Sequence, residues 1–562
     1  MDTGQYEQTI TANQFEHWAN NNGDSKGTPF ETNVFYNNLD SGERQITFKN
    51  LKIDGDVKLF QSETIHIVLS NCKISHFYIE NVLNFRSLTV TDFSQIDSIA
   101  ISKKGPHLFT ILNNSKINRI LFENCSNALP FIINNSKVGI IVSNKSNFEN
   151  FEISNSNDVG EINFALTVVN DFFKIINSRI EKIVIKDGKI PDIFFDEIES
   201  DEIRLNNYTI ESFVYVKSKC KELVFTYVNL RRIEILKKSI VGRLRIRLPL
   251  ETSAQISCKA SDFDEIDLSS TVISEFTTVQ ILNCKVSQIK LIDFCNYGTI
   301  LLNNIFPKVE EESKIYMVDS DLGKIQIIKS DLSFYRKFVY SNTKMLELFI
   351  AGSEMPRNNT FCLPNENNNL LEVSVQKRLA YSQFKKIYEN QGDIPGSLRY
   401  LAYEMDAYLA MLNCHYYDLT KDKNSLPLSK KINSRIFKHK YRGERWMLLL
   451  NKYSTNYGND WLLGAKRTFW AVVICYSLFC LFQGIMFNFE FNSINNVIEF
   501  FRIVSYAPYY LNPLRDLDSV SPVDENTINP LARIWDFISR IIVAYFAYQT
   551  IQAFRKLGKS SG

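Results

Sequence analysis

The chain has 562 residues, of which 45% are hydrophobic and 22% charged, with a formal net charge of +2. That length implies more than one domain, and the apolar content fits a folded protein with a membrane-embedded part. The near-neutral balance argues against a purely electrostatic nucleic-acid binder.

Residues 1–45 carry no repeat and are expected to form an N-terminal cap on the repeat region. The opening Met1-Asp2-Thr3-Gly4-Gln5-Tyr6-Glu7 is polar and acidic, unlike a signal peptide, so the N-terminal part is expected in the cytosol. From residue 46 to 353 one signature recurs. A small residue is followed by apolar residues at +2, +5 and +7, as in Cys72, Ile74, Phe77 and Ile79. The frame starts at Cys72, Ser94, Ser115, Ser136, Asn157, Ser178, Ser218, Ser239, Ser261, Cys284, Ser320 and Thr343, and among its apolar slots only Ser143 is polar. Most intervals are 21 to 23 residues. The 40 residues from Ser178 to Ser218 read as two coils, with Ile198 in the small slot and Ser200 in the first apolar slot of a degenerate frame between them. The 36 from Cys284 to Ser320 read as one coil with an insertion around Pro307 to Ser313.

Each frame ends in period-2 alternation, which is a strand pattern, and a second short alternation such as Phe109-x-Ile111 or Phe131-x-Ile133 precedes the small residue. Asn-Ser or its equivalent lies between them, and those short side chains favour tight corners. Strand, corner, strand, corner at constant length predicts a parallel β-helix of about 14 rungs, on the order of 65 Å long. A leucine-rich repeat has a similar frame, but here the slots are mostly Ile, Val and Phe and no helical half-repeat is visible. One core line is predicted through Ile120, Ile183, Ile266 and Ile325. The cysteines show no CxxC; Cys72 and Cys284 take the corner slot and Cys220 an apolar slot, as buried thiols of a reducing compartment would.

Residues 354–370 are rich in Asn and Pro and read as a linker. Residues 371–418 read as a helical hairpin broken at Gln391-Gly392-Asp393-Ile394-Pro395, with Leu398, Leu401, Met405, Tyr408, Leu409 and Leu412 as a packing stripe. Residues 419–466 form a basic juxtamembrane segment. Its Lys438, Lys440, Arg442 and Arg445, with Lys466 and Arg467, are expected to face anionic lipid heads rather than nucleic acid.

Residues 467–562 read as a transmembrane hairpin. Phe469 to Phe487 is free of charge and long enough to cross a bilayer core. Ile534 to Phe554 is the second span, with Asp536 and Arg540 spaced i, i+4 so that they partly neutralise each other. Lys466 and Arg467 before the first span, and Arg555, Lys556 and Lys559 after the second, place both ends in the cytoplasm by the positive-inside rule. The connection, 488–533, carries an amphipathic segment from Ile494 to Tyr506, which Asn492-Ser493 could cap and Pro508 would end. It reads as a re-entrant helix or as a helix resting on the membrane surface. No glycine lies between Gly484 and Gly558, which excludes a potassium-type filter but not a pore lined by side chains. Candidate pore residues are Asp536, Arg540, Gln549 and Gln552 in the second span, with Glu499 and Arg502 in the connection.

The runs Tyr388-Glu389-Asn390-Gln391-Gly392-Asp393, Tyr457-Gly458-Asn459-Asp460-Trp461, Arg533-Ile534-Trp535 and Gln549 through Lys556 resemble the tail of a bacterial family. Its members carry pentapeptide-repeat-like β-helices followed by a helical linker and a two-span, ion-channel-like membrane segment. The resemblance is at motif level over residues 375 to 560 and architectural over the rod, whose period is nearer 21 than 20. It implies an inner-membrane effector with the rod and both termini in the cytoplasm. The rod would sense a protein or small-molecule ligand, and the spans would form an ion-permeable pore. A single hairpin cannot enclose a water path, so homo-oligomerisation is expected. The partners are then membrane lipids, further copies and the rod's ligand, with no nucleic acid. Anti-phage or stress defence is the setting suggested by analogy. A membrane-anchored scaffold without conductance is the second expectation.

No catalytic, cofactor-binding or metal-binding residues are expected: the histidines form no HExxH, and no Walker or GxSxG motif occurs. A β-helix carbohydrate-active enzyme would need paired carboxylates in a groove. The candidates Asp262, Asp264, Glu265 and Asp267 are assigned to solvent-facing positions between inward Phe263, Ile266 and Leu268.

Overall fold

The computed structural model describes residues 8–20, 34–38, 44–59, 65–82, 85–126, 128–249, 252–345, 347–356, 360–362, 370–421, 428–485, 494–516 and 528–558, with the backbone alone over the helical stretches of 415–440. Two compact units divide the chain, Met1–Pro364 and Asn365–Gly562.

The N-terminal unit is a parallel β-solenoid of about 21-residue coils. Each coil contributes two strand segments, and each stacks in parallel register on its equivalent one coil away. Lys116–Glu123, for example, pairs with Gln95–Ser102 on one side and Lys137–Asn144 on the other. The register explains the sequence frame. Ile120 pairs with Ile99 and Ile141, and the line continues through Ile162 and Ile183 to Ile266 and Ile289, all buried. A second inward line runs along the other ladder through Phe109, Phe131, Phe151 and Phe173. Its rings pack on one another, edge-on at Phe109–Phe131 and nearly parallel at Phe151–Phe173, whose centroids are 4.8 Å apart. No coil has enough apolar area to be stable alone; each is covered by its neighbours.

The edges explain the corner residues. A left-handed residue opens each edge: Asn71, Asn135, Asn155 and Asn177 on one, Asn81, Asn124 and Asn207 on the other. Asn tolerates positive φ better than other side chains, and here it also ladders. Asn155 Nδ2 donates to Asn134 Oδ1 at 3.2 Å and Asn177 Nδ2 to Asn155 Oδ1 at 2.9 Å. The small residue after it is buried, and its hydroxyl accepts the backbone N–H of its counterpart one coil back. Ser94 Oγ accepts from Cys72 N, Ser156 Oγ from Ser136 N, and Ser218 Oγ from Ile198 N. The corner would otherwise orphan that N–H inside the stack. Cys72 Sγ and Cys284 Sγ fill the same corner, each donating to edge carbonyls. Ile198 and Ser200 are both buried in the slots assigned to them, and buried Ser143 meets Thr167 Oγ1 at 2.9 Å.

Three sequence assignments are corrected. The corner of the Asn157 frame is Ser156, which is buried while Asn157 is exposed; that coil carries one additional residue before inward Val159. The frames at Ser320 and Thr343 lie on the opposite edge from those at Cys72 to Cys284. Ile305, Ser330 and Ser353 continue the first edge, with Ile305 N donating to Ser330 Oγ and Ser330 N to Ser353 Oγ. Ile325 therefore pairs with Ile300 and belongs to the second line, not to that of Ile120, Ile183 and Ile266. The 307–313 insertion is where the sequence places it, before the strand Lys314–Val318. Finally, Glu265 and Asp267 are buried rather than solvent-facing. Glu265 pairs with Arg243 at 3.2 Å and Lys290 at 3.0 Å, and Asp267 with Arg245 at 3.0 Å, while Asp264 stays exposed and bonds Lys308.

At the N-terminus, Gln8–Thr11 adds a parallel strand on Leu51–Asp54, and helix α1 (Ala12–Asn20) covers the first coil. Thr11 and Gln14 form a reciprocal cap, Thr11 N to Gln14 Oε1 at 2.9 Å and Gln14 N to Thr11 Oγ1 at 3.3 Å. Phe15 is buried against Phe48 and Phe77.

The C-terminal unit is helical: α2 (Leu370–Asn390), α3 (Ile394–Lys421), α4 (Leu428–Thr455), α5 (Trp461–Gln483), α6 (Ile494–Val504) and α7 (Pro530–Gly558). The α2–α3 turn uses Gly392 at positive φ, and Tyr381, Phe384, Tyr388 and Tyr400 pack as one aromatic cluster across the hairpin. The basic segment lies largely within α4. Helix α4 packs on α3 through Leu409, Leu412 and Leu448.

Candidate functional site

Helices α5 and α7 pair antiparallel. Trp461 meets Phe554 at one end, and Gln483 Oε1 accepts from Asn529 N at the other. Asp460 caps α5, accepting from Leu463 N at 2.8 Å, and Gly484 in the left-handed conformation ends it. Close approach depends on small residues. A Cβ on Gly464 would lie 2.8 Å from Thr455 Cγ2 and 2.9 Å from Thr550 Oγ1. Thr468 Oγ1 and Thr550 Oγ1 lie 3.0 Å apart across the helices; one hydroxyl donates to the other, which donates to its own helix, Thr468 to Gly464 O or Thr550 to Phe546 O. Small residues with interhelical hydroxyl bonds are the usual adhesive where lipid removes the hydrophobic drive between helices. At the base, Tyr457 Oη donates to Asp406 at 3.0 Å; burial, and then Asp406, push its phenol pKa upward.

Among the described residues, α5 is the one helix long and apolar enough to cross a membrane. Helix α7 is less apolar and carries Arg533, Asp536 and Arg540, and the structure shows how two of these charges are handled. Asp536 is 3% exposed, and so is Arg515, which comes from the connection. Arg515 Nη2 donates to Asp536 Oδ1 at 2.7 Å and to Ser539 Oγ at 2.7 Å, and Nη1 donates to Tyr510 O at 3.1 Å. The guanidinium also lies 3.8 Å from the centroid of the buried Tyr510 ring. Arg540 Nε takes the other carboxylate oxygen, Oδ2, at 2.7 Å. The predicted Asp536–Arg540 pair is present as two members of a triad whose third, Arg515, 21 residues upstream of Asp536, the sequence reading lacks. The signal available was an excess: one carboxylate has room for two guanidinium donors.

The other sequence candidates do not converge. Gln549 is half-buried and Gln552 exposed. Glu499 and Arg502 are exposed on α6, 3.9 Å apart. On α6, Ile494, Ile498 and Phe501 turn outward while Ile503 is buried, and Tyr476 Oη donates to Ile503 O at 2.5 Å. The cap assigned to Asn492-Ser493 lies outside the described residues, as do the side chains of Lys438 and Lys440. Arg442 is exposed and Arg445 half-buried on α4; Lys466 is exposed on α5, and Arg467 packs over the Tyr453 ring at 3.5 Å.

On the rod, a surface groove of about 390 Å³ is lined by residues of both charges, including Arg179, Glu181, Glu199, Lys219 and the Lys221–Asp201 pair at 2.7 Å. Among the described residues no group of three His, Cys, Asp or Glu is placed to hold a metal. Comparison with protein-family models, curated proteins and solved structures gives no match.

Proposed function

We propose that this chain is a bacterial inner-membrane effector. Its cytosolic β-solenoid binds a protein or small-molecule ligand, and its α5–α7 hairpin crosses the bilayer twice and oligomerises into an ion-permeable pore. One observation carries the reading: the hairpin keeps an ion pair within its apolar interior and turns large apolar side chains outward. Its charges, Arg515 and Asp536, are paired in the interior, while Phe469, Trp470, Ile474 and Leu481 of α5 and Phe537, Ile541, Ile551 and Phe554 of α7 are exposed. A helix pair in water does the reverse, because exposed apolar area is unfavourable and paired buried charge gains little. With Asp536 ion-paired inside the hairpin to Arg515 and Arg540, both helices are long enough to span. The amphipathic α6, apolar side outward, suits the outer membrane surface. The mixed-charge groove on the rod is the candidate ligand surface, and defence against phage or stress is the setting that such a coupling suits.

Arg515 and Asp536 satisfy each other within one protomer and leave little charge to line a water path. That favours the second reading, a membrane-anchored scaffold without conductance. Two measurements separate the cases. Single cysteines at Ser505 and Gly443, in a background without the native cysteines, should label from opposite sides of intact inner-membrane vesicles. Purified protein in liposomes should then pass ions, whereas a chain ending at Pro364 should not. Labelling of both sites from one side overturns the hairpin topology; a correctly inserted oligomer that passes no current leaves the scaffold.

A further inference from the structure

A cavity of about 550 Å³ lies between α5, α7 and the end of α4. Its α5 wall is a single helical stripe: Leu463, Lys466 and Arg467, Trp470 and Ala471, Ile474 and Cys475. Tyr453, Trp535, Ile542 and Phe546 form the rest. The two ends differ chemically. One end presents Lys466 and Arg467 beside Tyr453; the other is apolar, floored by buried Cys475, whose carbonyl accepts from Trp535 Nε1 at 2.9 Å. From Arg467 to Cys475 the helical rise is about 12 Å.

The cationic end has no counter-anion among the described residues, although the Tyr453 ring covers one face of the Arg467 guanidinium. Among the described residues neither Lys466 nor Arg467 makes an ion pair, and Arg467 Nη1 is buried with no hydrogen-bond acceptor. A buried guanidinium N–H without an acceptor is costly, and phosphate oxygens, like carboxylate oxygens, match guanidinium geometry. The apolar length next to it has the volume of a small-molecule site.

We infer that this cavity is a binding site for one anionic glycerophospholipid, its phosphate held by Arg467 and Lys466 and one acyl chain laid along Trp470, Ile474 and Ile542. The inference rests on the reading that α5 crosses the membrane. On that reading the two cations stand at the cytoplasmic interface, where Trp and Tyr also concentrate. A zwitterionic lipid shares the chain but brings an ammonium toward two cations, so the site discriminates by net headgroup charge. The occupant cements α4 to the spans, because Tyr453 belongs to α4 and Phe546 to α7.

The test uses the full chain in mild detergent. Native mass spectrometry and thermal melting are read with added phosphatidylglycerol, phosphatidylcholine or inorganic phosphate. Wild type should retain phosphatidylglycerol and melt several degrees higher with it than with phosphatidylcholine; phosphate alone should give no such shift. Lys466→Gln with Arg467→Gln should abolish the preference. Ile474→Trp, which fills the chain channel and keeps both cations, should also lose the lipid. Arg467→Lys should recover part of the preference over Arg467→Gln, separating phosphate binding from a folding defect. Equal stabilisation by both lipids, a full effect from phosphate alone, or retention by the double variant overturns the site. So does a fall in oligomer mass on Ile474→Trp with lipid retention unchanged, which would mean that a second copy covers the cavity. Carbonate extraction of wild-type membranes distinguishes the two levels. Release of the chain overturns the spanning reading and the site with it; an embedded chain without lipid preference overturns the site alone.

Discussion

Arg515 and Asp536 meet at 2.7 Å with side chains 1% and 4% exposed, and this contact ties the connection between the two hairpin helices to the interior of α7. Arg515 also holds the carbonyl of Tyr510 and the hydroxyl of Ser539, so one guanidinium fixes the 507–511 turn and α7 together. A charge in a low-dielectric interior is tolerated only when its partner and its remaining hydrogen bonds are in place.

Removing one member should therefore be worse than removing both. Arg515→Leu leaves Asp536 with Arg540 alone, and Asp536→Leu leaves Arg515 buried without its carboxylate. Breaking such a pair costs about 3–5 kcal/mol, whereas replacing both partners with apolar groups is often near neutral. Thermal melting of the detergent-solubilised chain should show large losses for each single variant and a smaller one for Arg515→Leu with Asp536→Leu. Additive losses in that cycle would mean that the two residues do not act as a pair.

The rod was legible because its information is periodic. The inward position of Ile120, Ile183 and Ile266 is written once per coil, and stacking repeats it. What the sequence hid was the half-coil phase beyond Cys284. Both edges are built alike, a left-handed residue and then a small one, as at Asn135-Ser136 and Asp319-Ser320. When Ile305 took the small slot on the first edge, the next recognisable frame, at Ser320, belonged to the other. In the helical unit the Asp536–Arg540 pair comes from helix geometry. Arg515 does not, because its contact is tertiary and no spacing rule links a turn residue to a helix 21 positions on.

The phase of the coils beyond Cys284 can be tested by cross-linking. Leu301 pairs with Gln326 in register on adjacent parallel strands. Leu301→Cys with Gln326→Cys should oxidise to a disulfide, since neighbouring strands lie about 4.8 Å apart. Tyr316→Cys with Gln326→Cys should not, because Tyr316 pairs with Lys290 and Val339 on the other ladder. Cross-linking of the second pair in place of the first would put Ile325 back on the line of Ile120 and Ile266.

Burial also sets the chemistry of the rod thiols. It raises the Cys72 and Cys220 pKa values to about 12 and that of Cys284 to about 11, from 9.0. These thiols stay protonated in the folded state where the unfolded chain has ionised, so their stabilising contribution is complete below pH 9 and is lost as pH rises from there toward 12. All three should resist a thiol reagent at pH 8 until denaturant is added. The melting temperature should fall above pH 9, less steeply when Cys72 is replaced by Ser, the residue found at the equivalent corners. Rapid labelling of Cys72 in the native chain would contradict its place in the stack.

The triad also decides which charge can be used to look for a pore. Exchanging Asp536 and Arg540 would set a new arginine at 536 against Arg515, two buried cations where Asp536 now accepts at 2.7 Å. Asp536→Arg with Arg540→Asp should therefore damage folding or insertion of the hairpin, whatever it does to ion flow, and is a poor probe of selectivity. Arg540→Gln is the informative change. The Arg540 side chain is 32% exposed, and Asp536 keeps Arg515 when Arg540 is neutralised, so the hairpin should insert as wild type does. If copies of α7 surround a water path, removing this cation from the wall should raise cation over anion permeability in reconstituted liposomes, measured as a shift in reversal potential across a salt gradient. A conducting wild type whose reversal potential is unmoved by Arg540→Gln would remove Arg540 from the pore wall. Absence of current in both, from inserted and oligomeric protein, would leave the hairpin as an anchor.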